Sequence, residues 1–269
     1  MPILNSGEYT LDYTDDGAGD PVILVHSSAC GYWQWRKLTT ALQPKYRVLA
    51  VNLFGYGGTS AWPENRRLSL ADQAQLVLAL ANEVRDSQVS LVGHSYGGTV
   101  AMHAALELQR RVARLILLEP NPFNLIADYG RKSSLQEVLK LSSRIKTDHP
   151  RKDWESLGAY FADYWNAPGT WDAMPAERRT SYLRMLPALY HEMVSIMEDH
   201  TPPERWLPYI GRTLLVTAVQ TKQPIQEIAR ILRKAWPGLR EASVEQGGHM
   251  APLTRPDLVN PIIGDFLAL

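Results

Sequence analysis

The sequence predicts an α/β fold, a mostly parallel, doubly wound sheet with an inserted helical cap, and two patterns carry that expectation. Short runs that are apolar at nearly every position alternate with stretches of helical periodicity, and the alternation stops between Pro120 and Pro208. A strand that is apolar at every position must be covered on both faces, which is the setting of a parallel sheet flanked by helices. The length of 269 residues fits one large core carrying an insertion.

The elements follow in order. The first apolar run is 21–26 (PVILVH) and the second is 46–52 (YRVLAVN). Ser69, Leu70, Ala71 and Asp72 then form the pattern of a capping box, in which a serine and an acid each satisfy the other's backbone N–H. Leu70, Ala74, Val77, Leu78 and Ala81 continue an apolar face from it to about Arg85. Strand 89–93 (VSLVG) leads into a helix over 97–108, and strand 114–119 (RLILLE) leads into the insertion. Beyond the insertion come strand 212–218 (RTLLVTA), helix 224–235, a short strand 240–244 and a last helix over 256–267. The expected organisation is a core of residues 1–120 and 209–269 with a helical cap over 121–208.

Half of the 24 Trp, Tyr and Phe residues lie between Asn121 and Tyr209, a third of the chain. Ligand pockets are lined mainly by apolar and aromatic side chains, so a cap facing a small-molecule substrate explains the concentration. A small satellite core that uses rings for bulk would explain it as well. A helix through this stretch would bring Tyr160, Tyr164 and Trp171 near one face, and with Trp154 and Trp165 these are the expected substrate-binding rings.

Charge and cysteine content narrow the function. Lys plus Arg number 28 and Asp plus Glu number 28, so no basic field exists to attract nucleic acid or an anionic membrane. Cys30 is the single cysteine, which excludes an internal disulfide, and no Cys/His cluster has metal-ligand spacing. No nucleotide motif appears, so no cofactor is implied. The N-terminal segment carries early acids and no apolar stretch of signal-peptide type, and a cytoplasmic location is the expectation.

The chemistry concentrates in two loops. Gly93, Ser95 and Gly97 form G-x-S-x-G directly after an apolar strand and directly before a helix. A serine on a sharp strand-to-helix turn needs small neighbours to leave its oxygen exposed, which is why glycine flanks it. His249, in Gly247-Gly248-His249-Met250, follows the last strand and precedes the last helix, where it can act as the general base for Ser95.

These pieces resemble the α/β-hydrolase superfamily over nearly the whole chain. More narrowly, the sequence is similar to a group of bacterial cofactor-free hydrolases of largely unassigned substrate. The shared motifs are HSS at 26–28, GYG at 55–57, GHSYGG at 93–98, LEP at 118–120 and the GHM, PLT and Pro pieces of 248–256. The resemblance implies that the backbone N–H groups of Ser28 and Tyr96 stabilise an oxyanion. Ser27 replaces the usual glycine of the oxyanion loop, and its hydroxyl is a further candidate donor to substrate. Asn52 replaces the usual aspartate before the loop 53–60. Most superfamily members carry their acid just after the strand at 212–218, but Val219, Gln220, Thr221, Lys222 and Gln223 include no carboxylate. Some members, certain dehalogenases and lactonases among them, place it instead at the end of the strand after the nucleophile helix, where this chain has Glu119. Glu119 is therefore the expected acid, with Asp128 in reserve. His26 and His94 are expected to orient loops.

The expectation is a serine hydrolase of carboxylic esters or lactones that works through an acyl-enzyme on an apolar or aromatic substrate. A serine at the elbow argues against dehalogenase and epoxide-hydrolase chemistry, which needs a carboxylate nucleophile. Two alternatives remain open: carbon–carbon bond hydrolysis or lysis by the same Ser/His pair, and ligand binding without turnover. Oligomeric state is not legible.

Overall fold

The computed structural model describes residues 2–84 and 87–269. Its centre is an eight-stranded sheet in the order β1-β2-β4-β3-β5-β6-β7-β8. The strands are β1 (Ile3–Ser6), β2 (Tyr9–Gly17), β3 (Asp20–Val25), β4 (Tyr46–Val51), β5 (Val89–His94), β6 (Val112–Leu118), β7 (Thr213–Ala218) and β8 (Arg240–Val244). β1 and β2 are antiparallel to their neighbours, and every pairing from β4 through β8 is parallel. This is the α/β-hydrolase arrangement, with helices on both faces.

The apolar runs divide their side chains between two cores. In β3, Ile23 and Val25 point into one cluster while Val22 and Leu24 point into the other. Leu49 and Val51 alternate in the same way with Val48 and Ala50 in β4, as do Leu115 and Leu117 with Ile116 and Leu118 in β6. Two-sided burial is the physical reason these strands read as unbroken apolar runs. The smaller core lies against α1 (Arg36–Leu42) and α11 (Pro256–Leu267). The larger lies against α2 (Leu70–Asn82) and α3 (Tyr96–Leu108), and α9 (Gln223–Ala235) also packs into it.

Several elements form for reasons visible in the sequence. Ser69 caps α2 through Asp72 in a reciprocal capping box, and the helix ends at Asn82; Arg85 lies outside the described residues. The β1–β2 hairpin was not among the expected strands. Tyr9–Gly17 carries three aspartates, and Asp12 turns inward because its carboxylate accepts from Asn52 Nδ2 and Gly58 N–H, each at 2.8 Å.

Between β6 and β7 lie five helices: α4 (Asn124–Tyr129), α5 (Lys132–Arg151), α6 (Trp154–Trp165), α7 (Ala176–Leu183) and α8 (Ala188–Met197). Their apolar residues, including Leu141, Phe161 and Leu189, join the larger core. The following 3-10 segment Pro203–Arg212 belongs with the sheet layer, since Trp206 Nε1 donates to Met102 O in α3 and Trp236 Nε1 donates to Pro203 O, both at 2.7 Å. Among the described residues, no helix is long and apolar enough to cross a membrane.

Candidate active site

Ser95 sits between β5 and α3 with φ 54° and ψ −120°, a left-handed backbone conformation that costs a non-glycine residue about 1–3 kcal/mol. The turn is held because its neighbours leave no room to relax. A Cβ on Gly93 would lie 2.3 Å from Gly97 O, and one on Gly97 would lie 2.3 Å from His26 O. The ladder also continues past the strand ends, with Ser95 N–H donating to Leu118 O and Glu119 N–H donating to Val216 O, both at 2.9 Å. Ala29 and Glu119 are also at positive φ, so three of the five such non-glycine residues among those described surround this site.

His249 Nε2 lies 2.9 Å from Ser95 Oγ, and its Nδ1 lies 2.8 Å from Glu119 Oε2. Glu119 accepts two further bonds at 2.6 Å, from Ala218 N–H at Oε1 and from the Thr221 hydroxyl at Oε2. A carboxylate already supplied with donors accepts a hydrogen bond from Nδ1–H, which leaves Nε2 as the acceptor for the Ser95 hydroxyl. All three side chains are buried. Asp128, the reserve candidate, is exposed on α4.

A second relay ties the two loops together. Ser27 donates through both N–H and hydroxyl to Gln34 Oε1, at 3.1 and 2.9 Å. The Gln34 amide reaches His94 Nδ1 at 3.1 Å, and His94 Nε2 donates to the carbonyl of His249 at 2.8 Å. Burial, with His249 beside it, holds His94 well below the usual imidazole range, so it is neutral and this one-way donor pattern is fixed. His26 is likewise pushed down to about 4 by burial, and it joins Ser27 O to the N–H of Leu53. Both histidines thus hold loops in place. The Ser27 hydroxyl is committed to Gln34, which removes it from the expected role of donor to substrate. Neither the Ser28 N–H nor the Tyr96 N–H donates to another of the described residues.

A cavity of about 860 Å³ opens beside Ser95, with Ser27, Ser28 and His249 in its wall. Of the five rings expected to bind substrate, Trp165 is in the wall, stacked on His249 at 4.1 Å between ring centroids. Trp154, Tyr160, Tyr164 and Trp171 are not, which corrects the expected face. α6 ends at Trp165, so no helix carries the periodicity on to Trp171, and the face of α6 toward the cavity is Phe161, Ala162 and Trp165. Tyr160 and Tyr164 find polar partners elsewhere: Arg144 lies 5.5 Å over the face of the Tyr160 ring, and the Tyr164 hydroxyl donates to Glu137 at 2.7 Å. Trp154 packs edge-on against His149, and Trp171 packs on Gly158 under Arg179. Among the described residues, the cavity wall has no grouping of His, Cys, Asp and Glu with metal-ligand spacing.

Three contributors escaped the reading of the sequence. Gln34 and Thr221 gave no signal, because a single amide or hydroxyl in a loop is unremarkable in sequence. Glu192 did give one: in α8, Leu189, Glu192, Met193 and Ile196 share one helical stripe, so an acid stands in a buried apolar row. Burial pushes its carboxyl up to about 7, although the Ser28 and Tyr56 hydroxyls favour the charged form.

A raised folded-state value means that the folded protein keeps this proton while the unfolded chain releases it, so stability falls as pH rises from the ordinary glutamate range through about 7. Glu192→Gln keeps the shape without the titration. The stability of this variant relative to wild type is expected to increase across that window by roughly 3 kcal/mol and then level off. Urea melts at a series of pH values measure it; a difference independent of pH would show that Glu192 does not hold its proton.

The sequence over residues 22–262 matches the family described as the alpha/beta hydrolase family, and the chain belongs to it. It is 34% identical over 114 residues to the bifunctional epoxide hydrolase 2 of Sus scrofa, covering 42% of this chain and 20% of that protein. It is 35% identical over 112 residues to the pimeloyl-[acyl-carrier protein] methyl ester esterase of Vibrio campbellii, covering 42% of this chain and 41% of that one. The matched stretches thus span less than half of each relative. A solved hydrolase from Pseudomonas aeruginosa superposes with a TM-score of 0.81 at 20% identity, covering 100% of this chain and 98% of that chain. These relatives are hydrolases.

Proposed function

We propose that the protein is a serine hydrolase of carboxylic esters or lactones, with Ser95 as nucleophile, His249 as general base and acid, and Glu119 as the group that orients and stabilises the imidazolium. The observation that carries this reading is the row Ser95 Oγ, His249 Nε2, His249 Nδ1, Glu119 Oε2, with spacings of 2.9 and 2.8 Å at the wall of an apolar cavity. In the reaction, Ser95 Oγ attacks the carbonyl carbon as its proton passes to Nε2. The unused N–H groups of Ser28 and Tyr96 are the proposed donors to the developing oxyanion. The leaving alkoxide takes the proton from Nε2, and water, deprotonated in turn by His249, releases the acid. The Vibrio campbellii relative, named as a methyl ester esterase, supports ester chemistry. Cys30, also in the wall, is no rival nucleophile, because burial pushes its thiol up to about 11.

The cap helices α4–α8 are proposed to bind the apolar part of the substrate, chiefly through Phe161 and Trp165. Burying apolar surface gains about 25 cal/mol per Å², which a remote group converts into orientation at the carbonyl. The expected result is a kcat/KM that rises from acetyl to medium-chain or aromatic p-nitrophenyl esters. Trp165→Ala is expected to lower both rates, because it uncovers His249, and to lower the long-chain rate at least several-fold more. A flat chain-length profile in which the variant changes only the melting temperature would reduce Trp165 to packing.

A further inference from the structure

We propose that Glu192 is a hydrogen-bond donor to the substrate, selecting esters or lactones that carry a second acceptor oxygen near the reacting carbonyl. The inference rests on the serine-hydrolase reading above and adds a specificity element to it.

The geometry fixes which oxygen does the work. The Tyr56 hydroxyl accepts from Ala29 N–H at 3.0 Å and gives its one proton to Glu192 Oε1 at 2.7 Å. Oε1 is therefore an acceptor, and a proton on the carboxyl resides on Oε2. Oε2 is buried and has no hydrogen-bond partner among the described residues. Glu192 is 2% exposed, yet it lines the same cavity as Ser95 and Ser28. A buried polar atom left unpaired is costly unless something else completes it, and here the open direction is the cavity that substrate enters. The Tyr56–Ala29 bond anchors the carboxyl to the loop that carries Ser28, so its donor stands on the proposed oxyanion side of the site.

Burial favours the donor form and outweighs the Ser28 and Tyr56 hydroxyls, which favour the charged one. Ser28 and Cys30 from the loop after β3, Tyr56 from the loop after β4 and Tyr96 from α3 are the groups that face the carboxyl. Burial holds Cys30, Tyr56 and Tyr96 neutral, and on Glu192's own helix Ser195 offers only a hydroxyl, which donates to Glu192 O. Arg178, on the cavity wall from α7, is exposed and is not among the groups that set the state of Glu192. Glu192 is thus the member of this group that changes charge in the neutral range, where it passes from donor to acceptor.

Two isosteric pairs test the proposal. In p-nitrophenyl levulinate a ketone replaces one methylene of p-nitrophenyl valerate, which places the second oxygen on the acyl side. In methoxyethyl butyrate an ether oxygen replaces one methylene of n-butyl butyrate, which places it on the alcohol side. The ratio of kcat/KM within a pair cancels every pH effect that the two members share. At about pH 6 the oxygen-bearing member of one pair is expected to be favoured by about 5-fold or more, and the preference is expected to vanish by about pH 8. Glu192→Gln, with its amide N–H in place of the acid, should hold the preference at both pH values, and Glu192→Leu should abolish it. The same pairs are compared by equilibrium binding to Ser95→Ala, so that loss of turnover would count against the hydrolase reading and leave the donor role measurable. Ratios unchanged between the two pH values in wild type, or unchanged in both variants, would overturn the proposal.

Discussion

Replacing Ser95 by alanine is expected to abolish covalent labelling by a fluorophosphonate and to lower kcat on p-nitrophenyl esters by about 10⁵- to 10⁶-fold, the scale on which serine hydrolases lose rate with their nucleophile. The fold should survive, because the bond that seats the turn runs from the backbone N–H of residue 95 to Leu118 O and alanine meets the same positive φ as serine. Intact-protein mass spectrometry of both proteins decides the outcome. Undiminished labelling of the alanine variant would end the proposed mechanism, while labelling of wild type without any turnover would identify a binding protein on a hydrolase scaffold.

Glu119→Gln should be almost as severe, with a loss of about 10⁴-fold in kcat, because a neutral amide neither stabilises the imidazolium nor fixes its tautomer. The structure also provides a way to reverse part of the damage. Thr221 Oγ1 lies 2.6 Å from the Glu119 oxygen that holds His249, so a carboxylate at position 221 would stand within reach of Nδ1. Adding Thr221→Asp to the glutamine variant is expected to restore kcat at least tenfold. Asp128→Asn, on the exposed side of α4, should leave kcat unchanged. Near-normal turnover of Glu119→Gln would place the acid elsewhere.

What could be read from the sequence followed from how strongly a residue's position constrains its type. The runs of β3, β4 and β6 are apolar because both faces are covered, so their pattern announced the sheet. Gly93 and Gly97 reflect a constraint of the same kind, steric crowding at the elbow, and pointed to Ser95; Glu119 was legible only through the resemblance, which implies an acid at that strand end when 219–223 carries none. The hairpin before β3 escaped because Tyr9–Gly17 mixes inward and outward aspartates, a pattern that only the partners of Asp12 explain. Rings misled, since an aromatic side chain packs as readily on a neighbouring helix as on a ligand. Tyr160 and Tyr164 turn toward Arg144 and Glu137, while Phe161 and Trp165 one position along each take the cavity side. Gln34 and Thr221 work through single contacts, which no periodicity records.

The two backbone bonds that seat Ser95 on β6 and Glu119 on β7 make the spacing of the proposed nucleophile and acid a matter of sheet register. Three adjacent strand ends form a module in which neither group depends on the length of a loop. The last residue of β7 lends its N–H and the turn after it the Thr221 hydroxyl to the Glu119 carboxylate, so a change in the length of that turn would act on the orientation of the carboxylate and leave its place on the sheet unchanged.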